Sequence, residues 1–145
     1  MIVRHAAAVD LAAVIACDDY APQHPERQFR IEESLLAGDC FLAERAGNVV
    51  GYVLVKHDFF GHEFVDVLMV HPAHRRQGVG RALLQACVER CEAGLLFTSA
   101  NETNDSAIRL FELVGFRRCG QIDGLNPDCA ELIYRAECRD ANIRS

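Results

Sequence analysis

Apolar residues fall in short blocks along this chain, and the spacing inside each block separates strands from helices. Ile2 to His5 reads as a short strand. Beyond Asp10, Leu11, Val14 and Ile15 have helical spacing and predict a first helix ending near Tyr20, with Pro22 and Pro25 breaking the pattern. Glu26 to Leu36 predicts a second short helix, stopped at Gly38. Cys40 to Arg45 and Val49 to His57 predict a hairpin around Ala46-Gly47-Asn48, because glycine and asparagine tolerate positive φ. Asp58 to His62 reads as a polar connection and Phe64 to Val70 as the central strand. Val79 to Glu92 is helix-like, and Leu95 to Ser99 is nearly continuous apolar sequence, as expected of a strand covered on both faces. Asn104 to Val114 predicts a helix ended by Gly115. Phe116 to Ile122 and Glu131 to Ala136 predict the last two strands, joined by a loop from Asp123 to Asp128.

Strands followed by crossover helices in the middle, with hairpins at both ends, predict an α/β fold with a mixed sheet covered by helices. The 145 residues suit one domain with a real core, and no repeat or linker divides them. No apolar run approaches the roughly 20 residues of a membrane span, and no uninterrupted signal-peptide core opens the chain. A cytoplasmic protein without membrane contact is therefore expected. Seven cysteines with no Cys-x-x-Cys pair, and no histidines beside Cys87 and Cys91 to complete a zinc set, read as buried reduced thiols. No metal site is expected. The net charge of −6 argues against nucleic acid as the main partner.

One segment of this acidic chain is basic. No Asp or Glu occurs between Asp66 and Glu89, while Arg75, Arg76 and Arg81 cluster where the central strand turns into the next helix. Gly78 and Gly80, one residue apart, leave backbone amides uncovered at the positive end of that helix. The turn reads as an anion site for a phosphate or pyrophosphate. Two nucleotide loops do not fit it. A Walker loop needs Lys and Ser/Thr after its last glycine, where Arg81-Ala82 stand; a dinucleotide fingerprint needs a third glycine, where Leu83 stands.

Arg75-Arg76-Gln77-Gly78-Val79-Gly80, preceded by Val70-His71-Pro72, resembles the acetyl-CoA pyrophosphate loop of the GNAT (Gcn5-related) N-acetyltransferase family. Downstream, Asn101-x-x-Asn104-x-x-Ala107-x-x-Leu110-Phe111-x-x-x-Gly115-Phe116 is similar to that family's Asn-x-x-Ala-x-x-Leu-Tyr-x-x-x-Gly-Phe segment. The resemblance covers residues 64–116 and implies a GNAT-like, mostly antiparallel central sheet flanked by helices. It also implies that the central strands splay apart and that acetyl-pantetheine lies in the gap. The implied activity is transfer of an acetyl group from acetyl-CoA to a primary amine in a ternary complex. The alternative is a catalytically weak acyl-CoA-binding sensor or interaction module; a homodimer is left open.

The resemblance also distributes roles. Backbone amides of Gln77, Gly78, Val79, Gly80 and Arg81 would anchor the pyrophosphate, with Arg75 and Arg76 adding charge. Leu68, Met69 and Val70 would pair with pantetheine, and the Val70 amide would polarise the thioester carbonyl. Asn104 would hold the pantetheine arm or cap its own helix. Asp66 stands where several members carry a base or amine anchor, and strand alternation would put it on the face of Leu68 and Val70; the plain alternative is a solvent-facing or ion-paired carboxylate. Glu63 and His62 are second choices for the base. Phe111 stands at the family's acid Tyr position and has no proton to give, so it is expected to pack beside the thioester while the thiolate leaves unassisted or through water, in preference to a proton from Tyr134 or Cys119 on the last strands. An acidic rim of Asp18, Asp19, Glu26, Asp58, Asp123 and Asp128 would attract a cationic acceptor.

Overall fold

The computed structural model describes residues 1–92 and 94–138. Strands β1 (Ile2–His5), β2 (Cys40–Arg45), β3 (Asn48–Phe59), β4 (His62–Val70), β5 (Leu95–Asn101), β6 (Arg117–Asn126) and β7 (Cys129–Glu137) form one sheet in the order β1-β2-β3-β4-β5-β7-β6. Every neighbouring pair is antiparallel except β4 and β5. Helices α1 (Leu11–Cys17) and α2 (Pro25–Leu36) precede the central hairpins; α3 (Val79–Arg90) joins β4 to β5, and α4 (Asp105–Val114) follows β5. The mixed α/β sheet covered by helices is the one the pattern predicted, and its mostly antiparallel pairing is what the resemblance implied. No helix among the described residues is long and apolar enough to cross a membrane.

The sheet has a core on each face. Val53, Val55 and Val65 pack with Leu83, Leu84 and Phe111 of α3 and α4 on one side. Tyr52, Leu54 and Val67 pack with Val14, Ile31 and Leu35 of α1 and α2 on the other. Each large aliphatic side chain removed from water in this way contributes about 1.5–3 kcal/mol. The first of these layers also takes in Leu68 and Val70, so it fixes α3 and α4 against the C-terminal half of β4, where the basic turn begins.

Local chemistry moves several boundaries. Helix α1 stops at Cys17, short of Tyr20, because Asp18 turns to extended backbone at φ −92 and ψ 129. The connection expected over Asp58–His62 shrinks to a two-residue turn: Phe60 and Gly61 take φ 52 and 78, the left-handed pair that a tight hairpin requires, and Phe59 pairs with His62. Likewise β6 continues to Asn126, and Asn126 pairs with Cys129, so the loop expected from Asp123 is mostly strand.

A larger correction concerns Asp66. Leu54 pairs with Val67 but Val55 pairs with Val65, so Asp66 is an extra residue, a β-bulge. Leu68 and Val70 point into the core under α3 and α4, whereas the Asp66 carboxylate pairs with Arg30 of α2. Alternation failed here because every other residue from Phe64 to Val70 is apolar and carries no phase information. The cysteine expectation also fails in part. Cys91, at the end of α3, and Cys138, after β7, lie with Cα atoms 5.2 Å apart and form a disulfide across 47 residues of sequence. Cys17, Cys40 and Cys87 are buried free thiols as expected, but Cys119 is exposed.

Candidate active site

The turn after β4 begins with Pro72–His74 as one 3-10 turn and passes through Arg76 at φ 62 to Gly78 at φ 81 and ψ 8. Gly78 is the N-cap of α3 and brings no side-chain cap. The first helical hydrogen bond here runs from Ala82 N to Gly78 O, so the N–H groups of Val79, Gly80 and Arg81 precede the ladder and face outward. A Cβ on Gly80 would lie 3.2 Å from Leu110 Cδ2 of α4, so the missing side chain lets the two helices close together. The side chains of Arg76 and Arg81 have no hydrogen-bond or ion-pair partner among the described residues. Arg75 is engaged: its Nε donates to Val70 O at 3.2 Å, and its guanidinium meets Asp19 at 3.5 Å. It straps the loop to the strand end.

These residues line a groove of about 760 Å³ between the C-terminal half of β4, the turn and α4. The groove holds every donor-side residue expected from the sequence except Gln77 and Phe111. Gln77 is drawn away because Arg45 donates to both its side-chain and backbone oxygens. Ser106, Ala107, Leu110 and Leu113 of α4 form the opposite wall; of these, Ala107 and Leu110 belong to the downstream motif, and Leu113 follows at helical spacing.

A second cavity, of about 280 Å³, adjoins the groove and shares Leu68, Asn104, Ala107 and Leu110 with it. It opens where the β4–β5 ladder stops. That ladder has only Glu63–Leu96, Phe64–Phe97 and Val65–Thr98, and Thr98 Oγ1 closes its end by donating to Val65 O at 3.2 Å. His71 N donates to Val50 O, so strand alternation turns the backbone groups of Leu68 and Val70 away from β3; Leu68 lines this cavity and both line the groove. Phe111 lines it and packs on Tyr134 and Phe116, with ring centroids 5.5 and 6.1 Å away. Asn104 caps α4: its Oδ1 accepts from Ala107 N at 3.2 Å, and its Nδ2, at the junction of the two spaces, has no partner among the described residues.

Asp66 is the one residue shared between this cavity and another of about 530 Å³ under α2. Its Oδ2 receives both Arg30 Nη2 and, at 3.8 Å, Lys56 Nζ; Oδ1 has no partner among the described residues. Glu131 of β7 also lines the smaller cavity and accepts from Ser99 Oγ at 2.7 Å. Neither Arg30 nor Glu131 was singled out from the sequence; each reaches the site across a long separation that leaves no periodic trace. Glu63 is not brought here. It lies beside α3 and accepts from Glu92 N at 3.4 Å, while His62 accepts from Leu95 N at 3.3 Å. Asp18 is not a rim residue either. Burial pushes its carboxyl up, but hydrogen bonds from Tyr52 and from the Tyr20 and Ala21 N–H groups, with Arg27 beside it, bring it below the usual carboxylate range. Among the described residues, no group of three His, Cys, Asp or Glu could hold a metal ion.

The sequence profile of the acetyltransferase (GNAT) family matches residues 10–116. N-alpha-acetyltransferase RimI of Mycobacterium tuberculosis is 33% identical over 82 residues, 54% of this chain and 51% of that protein. The L-methionine sulfoximine/L-methionine sulfone acetyltransferase of Salmonella typhimurium is 28% identical over 127 residues, 83% of this chain and 71% of that protein. A GNAT-family acetyltransferase structure from Bacillus cereus superposes with a TM-score of 0.90 at 25% identity, over 95% of this chain and 97% of that one. The first three curated relatives are longer proteins, of which this chain spans 51%, 24% and 30%. With the profile running from the start of α1 to the turn after α4, through the glycine turn and the groove it lines, the chain belongs to the acetyltransferase (GNAT) family.

Proposed function

We propose that this protein transfers an acetyl group from acetyl-CoA to a primary amine. The observation that carries the proposal is the continuity of two spaces. A groove headed by unbonded helix N–H groups and two unpaired arginines suits a pyrophosphate, and it runs into a cavity lined by carboxylates where β4 and β5 cease to pair. We take the strands to part there to admit the thioester arm; the three-pair ladder and the cavity beyond it support this. The solved structure of yncA from Salmonella typhimurium, which shares the fold at TM-score 0.76 and 24% identity over 95% of this chain and 94% of that one, holds acetyl-CoA.

Within this proposal, the N–H groups of Val79, Gly80 and Arg81 bind the diphosphate, with Arg76 and Arg81 adding charge. Leu68 and Val70 offer backbone groups to the pantetheine arm, and Asn104 Nδ2 donates to it. The Val70 N–H polarises the thioester carbonyl. Asp66 Oδ1 anchors the acceptor amine, while Arg30 and Lys56 hold its other oxygen in place. Phe111 supplies packing and no proton; a thiol pKa of about 8.5 lets the thiolate leave without an acid. The net charge of −6 and the single small basic cluster fit a cationic amine over nucleic acid as partner.

Calorimetric titration with acetyl-CoA tests the donor half, and free-thiol release against an amine panel tests the acceptor half. The panel takes its members from the relatives' names: peptides with free N-termini, phosphinothricin and L-methionine sulfoximine, with lysine and polyamines added. Binding with thiol release matched by acetylated product is expected. Absence of acetyl-CoA binding would overturn the proposal, and binding without turnover on any amine would leave only a binding module.

A further inference from the structure

We infer that Glu131 is the group that takes the proton from the attacking amine, an inference that rests on the acetyltransferase reading above. Asp66 and Glu131 both line the cavity that adjoins the donor groove. Their surroundings differ. The charge of Asp66 is already balanced on one oxygen by Arg30 and Lys56, so a proton added there would break two ion pairs. Glu131 has no cationic partner among the described residues; it accepts one neutral hydrogen bond, from Ser99 Oγ to Oε2, and keeps Oε1 open. A proton on Oε1 leaves that bond intact.

The support under Glu131 is rigid. It pairs with Asn101 of β5 and Ile122 of β6. One residue away, Ala130 N donates to Glu102 Oε1 and Glu102 N to Ala130 O, each at 3.0 Å. Asn101 Nδ2 reaches Cys129 Sγ at 2.8 Å. Leu96 and Ala100 of β5 enter the core under α3 and α4, so Ser99, out of phase with them, faces the opposite side of the sheet, the side of α2 and the Asp66 carboxylate. Both carboxylates therefore approach from the face opposite Phe111, Asp66 as anchor and Glu131 as proton acceptor. The ammonium gives one proton to Oε1, which passes it to solvent. The freed lone pair forms the C–N bond as the C–S bond breaks, and the second proton lost by nitrogen reaches the thiolate through water.

Ser99 is a positioning residue in this scheme and Glu131 a catalytic one. The test uses the full chain, an amine it is seen to acetylate, and Glu131→Gln, which keeps the Ser99 bond. At neutral pH kcat/KM is expected to fall about 100-fold, and the deficit to narrow as pH approaches the amine's own pKa, about 8 for an α-amine or 10.4 for an alkyl amine. Acetyl-CoA affinity should stay within about twofold, and Glu131→Asp should recover part of the rate with the original pH profile. Unchanged kcat/KM, or a loss independent of pH, would overturn the inference. Acetyl-CoA binding without turnover on any amine by the unaltered protein would instead remove the acetyltransferase reading, and this one with it.

Discussion

At Asp66 one extra residue in β4 turns a carboxylate from the Leu68 and Val70 side toward Arg30 and Lys56. That position suits an anchor, and it sets the sign of a test. Asp66→Asn is expected to raise KM for the amine about tenfold, the lower end for a charge-assisted hydrogen bond, with a smaller effect on kcat. Initial-rate kinetics at fixed acetyl-CoA would check it, and a loss confined to kcat would contradict it. The cysteines give a second residue-scale test. Burial pushes the thiols of Cys17, Cys40 and Cys87 up to about 12, whereas Cys119 lies exposed on β6. Iodoacetamide on the native protein should therefore label Cys119 first, read by mass spectrometry. Labelling of Cys87 at a comparable rate would show that α3 does not seal the core.

Helix α3 owes its place to what its first turn lacks. Gly78 supplies the left-handed N-cap, and Gly80 lets Leu110 of α4 approach. A valine at position 80 would crowd Leu110 and Val70, two of the side chains that wall the groove, before it crowded any ligand. Gly80→Val is expected to cost about 1–3 kcal/mol of stability by overpacking and to raise KM for acetyl-CoA together with it. Thermal unfolding and donor-side kinetics measured on one preparation would check this; a changed KM at full stability would mean direct obstruction of the ligand. Helix α4 was legible from both ends, Asn104 as its cap and Gly115 at φ 107 as its stop. The β3–β4 turn was not, because Phe60 gives no sign that it will take positive φ.

Across the whole molecule, two ties join distant segments. Cys91–Cys138 fastens the end of α3 to the chain after β7. Closing a loop of that length removes about 3–4 kcal/mol of unfolded-state entropy, so a reductant or Cys91→Ser should lower stability by up to that amount in urea titrations; no shift would mean that the thiols are unpaired in solution. Arg4 binds Asp10 and Glu44, joining β1, the start of α1 and β2. Its hydrogen bond, with one from Ala7 N–H, lowers the Asp10 carboxyl from 3.8 to about 2. A depressed folded value means that this stabilisation is complete above the unfolded value and fades as pH falls through about 2. Between those limits Asp10→Asn should flatten the acid slope of the unfolding free energy, and an unchanged slope would assign it elsewhere. Periodicity and punctuation are local, set by how side chains meet backbone geometry, so the helix and strand identities, the glycine turn and most residues that line the groove could be read along the chain. The partners of Asp66, the approach of Glu131 to Ser99 and the Cys91–Cys138 pair could not, because each depends on how strands and helices stack across tens of residues, and no repeat along one dimension records that distance.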